Sequence, residues 1–423
     1  MLPHSRHEEG YLPRYLDATL EDLLTHFRAV AIDGPKAVGK TETMLRHVDR
    51  TLRVDDVDTR RLIEAQGTAM WRDTARVGID EWQYYPPLWD SVRREVDDKA
   101  PTQFILTGSA SPSPDYDTHS GSGRIISNRM RPLSLAERAG TTPTISLVDI
   151  FDGTARIEGS CDLTIEDYAR QICASGFPDI NPLPERHRRV ALASYAQRII
   201  DRDIADMGAT VRSPASLRAW LGAYAAATAT TSTYDTIMAA ATPAQGDKPA
   251  RATFERYREL LDKIWVLDPV PAWTPSLTPL KRLTLGPKHH LCDTGLAAYL
   301  MGVNEKRLLS GKPGTFEVFG RLFESLTALT LRAAANTAQA HVYHLRTRGG
   351  DHEVDLVMER FDGSVLAVEV KLARTASDQD VKGLNWLHTQ LGERLVARVV
   401  VTTGEVAYQR GDGVLVIPLG MLY

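Results

Sequence analysis

The chain has 423 residues, 43 % of them hydrophobic and 25 % charged, with a formal net charge of −4. These proportions are ordinary for a soluble globular protein of about two to four domains, and the slight acidity excludes any overall electrostatic case for nucleic acid, leaving only local basic patches. Cys161, Cys173 and Cys292 form no C-x-x-C pair, no apolar run reaches membrane-spanning length, and Met1 to Gly10 is too polar for a signal-peptide core; a disulfide framework, a zinc knuckle and a membrane partner are therefore not expected, and a cytoplasmic location is.

In chain order, the first strong signal is the apolar run Ala29-Val30-Ala31-Ile32, read as a buried strand, followed by Gly34-Pro35-Lys36-Ala37-Val38-Gly39-Lys40-Thr41 and a helix-compatible segment. The octet fits G-x-x-x-x-G-K-[ST] in the strand–loop–helix context the motif needs. Its glycines let successive N–H groups turn toward the phosphates of ATP; Lys40 would neutralise phosphate charge and the Thr41 hydroxyl would ligate Mg²⁺.

A second apolar stretch, Val77-Gly78-Ile79, ends in Asp80-Glu81. In a P-loop ATPase the Asp holds the Mg²⁺ shell and the Glu orients and deprotonates the attacking water. The next strand, Gln103-Phe104-Ile105-Leu106, ends in Thr107-Gly108-Ser109, where Thr107 or Ser109 is a candidate sensor of the γ-phosphate. After a Ser-, Pro-, Asp- and Gly-rich loop, Gly123-Arg124 offers an arginine finger, preferred over Arg129 and Arg131. Such a finger acts within one subunit or on a neighbour, the latter requiring a homo-oligomer; a surface arginine is the plain alternative.

Together with Ile-Asp-Glu-Trp-Gln-x-x-Pro from Ile79 and Pro-Leu-Ser-Leu-Ala-Glu from Pro132, these motifs resemble the bacterial and archaeal AAA-type ATPases that carry a C-terminal domain of unknown function. The resemblance continues in Ser175-Gly176-Phe177-Pro178-Asp179, Arg202-Asp203-Ile204 and Asp293-Thr294-Gly295-Leu296. It implies an ATPase without implying a cellular task. Trp82 stands where the family commonly has Ile.

The ATPase domain is expected over 1–140. Helical spacing over 164–173 and 184–207, with Val190, Leu192, Tyr195, Ile199 and Ile204 on one side, predicts a small helical domain over 141–210. Three helical stretches, Ser213 to Thr228, Thr233 to Ala241 and Ala252 to Lys263, followed by a short β wing reaching Lys288, predict a winged helix over 211–312. Its third helix offers Arg251, Arg256 and Arg258 to DNA, and its wing Lys281, Arg282 and Lys288. A solvated face is the alternative, since Glu255 and Glu259 interleave.

From 313 to 423 the order is helix, three strands, helix, strand. Glu324 lies on the first helix, Asp355 on the second strand, and Glu369-Val370-Lys371 on the third. Strand alternation puts Glu369 and Lys371 on one face. Asp355 and Glu369 could share Mg²⁺ while Lys371 positions water for phosphodiester cleavage, an arrangement that resembles the restriction-endonuclease-like fold. The expected architecture is thus a multidomain α/β chain: a P-loop parallel sheet, a helical and winged-helix middle, and a nuclease-like C-terminal domain. Two functions follow, an ATPase driving DNA binding or cleavage and a regulatory ATPase with a silent nuclease fold.

Overall fold

The computed structural model describes residues 10–109, 121–138, 143–206, 211, 213–242, 251–274 and 286–423. Its first part runs α1 (Tyr15–His26), β1 (Ala29–Asp33), α2 (Lys40–Arg46), β2 (Arg50–Arg53), α3 (Val57–Gln66), β3 (Arg76–Asp80), α4 (Pro87–Asp97), β4 (Gln103–Gly108) and β5 (Ile125–Arg129). The five strands form one parallel sheet in the order β2-β3-β4-β1-β5. β1 is buried on both faces, as a near-continuous apolar run in a parallel sheet must be. β4 is inserted between β1 and β3, so the tips Asp33, Thr107 and Asp80 line up along one edge of the sheet.

The middle contains α5 (Leu147–Phe151), α6 (Ile165–Ala174), α7 (Glu185–Arg198), a π turn over Ile199–Asp203, α8 (Ile204–Asp206), α9 (Pro214–Ala226), α10 (Tyr234–Ala241), α11 (Arg251–Lys263), α12 (Thr294–Leu300) and α13 (Glu305–Leu308). A short ladder follows α11: Leu267 pairs with Leu291 and Val270 with Lys288, both antiparallel, and Ala272 then pairs with His344. The stretch expected as an exposed wing therefore docks on the C-terminal sheet. Lys288, expected to face DNA, is 1 % exposed because the ladder turns it inward. Lys281 and Arg282 lie outside the described residues.

The last part comprises α14 (Thr315–Ala334), β6 (Ala340–Arg346), β7 (Glu353–Arg360), β8 (Val365–Val370), α15 (Lys382–Leu391), β9 (Leu395–Thr402), β10 (Tyr408–Gln409) and β11 (Leu415–Pro418). β6, β7 and β8 form an antiparallel meander, and α15 carries the chain over to β9 parallel to β8. The full sheet is mixed, in the order β10-β11-β9-β8-β7-β6.

One apolar core runs from α1 and β1 through α6, α9 and α12 to α14 and one face of the second sheet, so the parts share an interior. Separate cores fill the other face of each sheet, around Trp71 and Phe104 in the first and beneath α15 in the second. Residues 144–147 close against 421–423 by four backbone hydrogen bonds, among them Leu147 N–H to Tyr423 O at 2.8 Å and Tyr423 N–H to Ile145 O at 3.0 Å. Among the described residues no helix is long and apolar enough to cross a membrane.

Candidate functional site

The loop between β1 and α2 is shaped by two glycines. Gly34, at φ +153, lies so close to the Met130 carbonyl that a Cβ would stand 2.2 Å from its oxygen, and Gly39 adopts φ +97 at the mouth of α2. Lys40 is buried and folds back on the loop, donating to the carbonyls of Gly34 at 2.9 Å and Pro35 at 2.8 Å. Burial lowers its pKa to about 8, with Glu81, Asp33 and Asp80 opposing. Among the described residues its hydrogen-bond partners are neutral carbonyls, so the nearby carboxylates offset the cost of burying the ammonium only from a distance.

Across the sheet edge the predicted residues converge. The Thr41 hydroxyl donates to Asp80 Oδ1 at 2.9 Å, the Thr107 hydroxyl donates to the same oxygen at 2.5 Å, and Glu81 N–H donates to Thr107 Oγ1 at 3.3 Å. Ser109 Oγ donates to Glu81 Oε2 at 3.0 Å, and Gln83 Nε2 donates to that oxygen too. Glu81 sits in the left-handed region at φ 55, ψ 46, a conformation that costs a non-glycine residue about 1–2 kcal/mol and recurs where a site imposes it. Thr41 and Asp80 offer hard oxygen donors side by side, the donor class that suits Mg²⁺.

Residues quoted above only as motifs surround this loop. The Lys36 ammonium pairs with Asp203 of the π turn at 2.8 Å, and the Tyr195 hydroxyl donates to Lys36 O at 3.2 Å. Phe177 packs on Tyr195 with ring centroids 4.5 Å apart, and Pro178 reaches the loop at Gly39. Behind the turn, Asp293 accepts from Gly176 N–H at 2.6 Å and caps α12 through Leu296 N–H at 2.7 Å. Arg14, which sequence reasoning missed, is buried and donates to Val38 O at 2.8 Å and Arg131 O at 2.6 Å, with Glu137 3.1 Å away. Its only local signal is an arginine just ahead of an amphipathic helix.

Arg124 lies elsewhere. Ile125 is level with Ala29, at the start of β1, whereas the phosphate loop follows its end. A five-residue strand, about 15 Å, thus separates Arg124 from the loop, and its guanidinium is spent on Asp97 at 2.8 Å. It is not placed to act as a finger in its own chain. Arg129 and Arg131, at the loop end of β5, turn instead to Asp268, which Arg332 of α14 also grips; the three contacts are 2.9, 2.7 and 2.9 Å. Burial works against the Asp268 carboxylate, but the three arginines hold its pKa well below the usual range.

In the C-terminal part, Glu324 and Asp355 meet at a residue the strand pattern does not include, Lys288, while Glu369 and Lys371 pair beside them and line a cleft that neither Glu324 nor Asp355 lines. Lys288 Nζ stands 2.8 Å from Glu324, 3.0 Å from Asp355 and 3.4 Å from Glu353. Lys371 pairs with Glu369 at 2.8 Å, and both line a cleft of about 490 Å³ with Glu353, Asp380 and Lys382. Burial would pull Lys288 below the ordinary lysine range, yet Glu324, Asp355 and Glu353 hold it above. Burial and Asp355 push Glu369 up, and burial pushes Glu324 up to about 8. An ammonium already bridges the two carboxylates that a metal would need, so Glu324 and Asp355 do not fit a divalent ion as they stand. Among the described residues no group of three or more His, Cys, Asp or Glu side chains could hold one. On α11, Arg251 pairs with Glu255 at 3.1 Å and Arg258 stacks on Tyr234, while Arg256 is exposed.

Comparison with known proteins divides the chain in three. Residues 26–139 match the AAA domain family, residues 165–307 a domain of unknown function, DUF8612, and residues 319–422 another, DUF4143. Uncharacterized proteins of Mycobacterium bovis and Mycobacterium tuberculosis are each 25 % identical over 413 residues, covering 95 % of this chain and 82 % of theirs. A Walker-type ATPase of Pyrococcus abyssi is 13 % identical with a TM-score of 0.41, covering 69 % of this chain and 97 % of that one. The family match over 26–139, on a parallel sheet with a phosphate loop at its edge, supports an AAA-type P-loop ATPase domain in this chain.

Proposed function

We propose that the chain binds ATP on the Gly34–Thr41 loop and hydrolyses it at the edge formed by β1, β4 and β3. The observation that carries this reading is the hydrogen-bonded series Thr41–Asp80–Thr107–Glu81, which links the start of α2 to the ends of β3 and β4. Lys40 would leave the Gly34 and Pro35 carbonyls for the phosphates and gain an anion in contact. Thr41 and Asp80 would hold Mg²⁺, which supplies charge neutralisation on the phosphate oxygens. Glu81, steadied by Ser109 and Gln83, would accept the proton of the attacking water. Thr107, bonded to Asp80 and Glu81 together, would register the γ-phosphate. Asp203, through Lys36, would carry the state of the loop to the helical middle.

Glu81→Gln tests this. It keeps volume and hydrogen bonding but removes the base, so ATP should still bind while hydrolysis slows by about two to four orders of magnitude. A variant that turns over at the wild-type rate would move the role to another residue. Of the two readings of the C-terminal cluster, the regulatory one is favoured, because Lys288 stands between Glu324 and Asp355.

A further inference from the structure

The hub at Asp268 has a second side. Arg129 and Arg131 from the end of β5 and Arg332 from α14 share that one carboxylate, and all three also line a cleft of about 950 Å³ bounded by α1, β5, the end of α14 and β6. Their side chains keep 21, 13 and 13 % exposure, so none is sealed in. Arg129, which also stacks on Trp265 at 4.7 Å, keeps a buried Nε without a hydrogen-bond partner among the described residues. Among those residues Asp22 is the only acid on the cleft wall, and Asp262 acts on Arg129 from farther away. Burial and the neighbouring Arg131 and Arg129 pull Arg332 down to about 9 against Asp268. At its contacts the hub therefore carries more positive than negative charge.

Another stretch of the wall is aromatic. His341 and Tyr343 lie two apart on β6, hence on one face of the strand, with ring centroids 6.3 Å apart, and Phe361 meets His341 edge to face at 5.3 Å. Phe361 is 81 % exposed, more than any other large apolar side chain among the described residues. Two chemistries thus meet in one open cleft: guanidiniums, which pair with phosphate oxygens, and an exposed ring face, on which an unpaired base stacks. A double helix stacks its bases on one another and offers such rings only its backbone. A single strand offers phosphate and base face in alternation.

We propose that this cleft binds single-stranded nucleic acid, with phosphates on the side of Arg129, Arg131 and Arg332 and a base against Phe361 and His341. None of Arg251, Arg256, Arg258 and Lys371 lines it, so it is separate from the surfaces expected of a winged helix and of a nuclease centre. The proposal does not rest on the ATPase reading, and binding is measured without hydrolysis, so the two can fail separately.

The experiment is fluorescence anisotropy of a labelled oligothymidylate with the nucleotide-free full chain. The wild type should bind it, with an affinity that falls as salt rises. Phe361→Ala, which removes only an exposed ring, should weaken binding about tenfold. Thr337→Glu, at an exposed position on the same cleft, should weaken it about fivefold at low salt, and high salt should shrink that difference. Both substitutions lie on the surface, so the fold stands in each. Excess ATP, unlabelled duplex and poly-glutamate should each leave the labelled strand bound. No binding by the wild type, or wild-type affinity in Phe361→Ala or in Thr337→Glu, overturns the proposal. Displacement overturns it too: by ATP, because the strand would then sit on the Gly34–Thr41 loop, and by duplex or poly-glutamate, because charge alone would then account for binding.

Discussion

Lys40 and Lys288 are the same side chain, both buried, in opposite circumstances. Among the described residues Lys40 hydrogen-bonds to the neutral carbonyls of Gly34 and Pro35, and burial pulls its pKa down to about 8 with Glu81, Asp33 and Asp80 opposing. Lys288 touches three carboxylates, which hold it above the ordinary range despite burial. A buried ammonium without a counter-ion in contact is costly; one with in-chain counter-ions in contact contributes to the fold. The Gly34–Thr41 loop therefore holds its ammonium on backbone oxygens, with carboxylates acting from farther away, and the C-terminal cluster holds one directly among carboxylates.

The contrast breaks most readily by removing each lysine in turn. Lys40→Ala should weaken ATP binding by about a hundredfold or more, the loss of charge-assisted bonds to phosphate, and should leave the thermal midpoint unchanged or raised. Lys288→Ala should do the converse, costing about 3–5 kcal/mol of stability by stranding buried carboxylates while ATP still binds. Fluorescent-nucleotide titration and urea unfolding of both variants decide it; equal destabilisation by both would end the contrast.

Asp268→Asn extends the comparison to the hub between the two sites, where one carboxylate serves three arginines. A loss of similar size, about 3–5 kcal/mol, is expected at neutral pH. The sign of its pH dependence follows from a folded pKa below the unfolded one: the Asp268 contribution is complete above about pH 4 and fades as pH falls further. Unfolding of wild type and variant at neutral and acid pH should therefore converge, and an unchanged difference would refute the assignment.

A smaller effect of opposite sign sits at His47, which bridges Asp17 at 3.0 Å and Glu21 at 2.7 Å. Burial lowers its pKa, but the two carboxylates more than restore it, leaving a net rise. Its contribution is thus full below the ordinary histidine range and lost as pH climbs through the raised value, and it should stay below about 1 kcal/mol. His47→Gln should flatten the thermal midpoint between mildly acid and mildly alkaline buffer. Least of all is expected of Arg124→Ala, whose ATPase rate should stay within about twofold of wild type, as for a surface ion pair. A fall of about a thousandfold would restore it as a finger.

The sequence made the phosphate loop, Asp80-Glu81 and Thr107 legible because their chemistry is local and each closes a short strand. Glu369 and Lys371 were legible for the same reason, through the period of a strand. Lys288 was not: its partners lie on α14 and β7, and nothing near it in sequence separates a wing lysine from a buried one. Arg124 misled because a Gly-Arg beside a strand does not say at which end of the sheet it lies. Asp203 and Ser175 to Asp179 could be quoted as motifs but not assigned, since their packing on the loop arises only when the helical middle folds over it.

The closure of residues 144–147 on residues 421–423 bears on synthesis. A ribosome delivers 144–147 early and 421–423 after every strand of the second sheet, so the N–H groups of Thr144, Ile145 and Leu147 remain without their native acceptors while the intervening chain is made. The apolar neighbours Ile145, Leu147 and Ile150 wait with them for Leu419, Met421 and Leu422. The ATPase sheet can form as it emerges, but this seam closes only once residues 421–423 have been made. A nascent chain stalled before residue 419 should therefore expose that seam to protease and to holdase chaperones, and its release should mark the moment at which the three matched segments become one folded body.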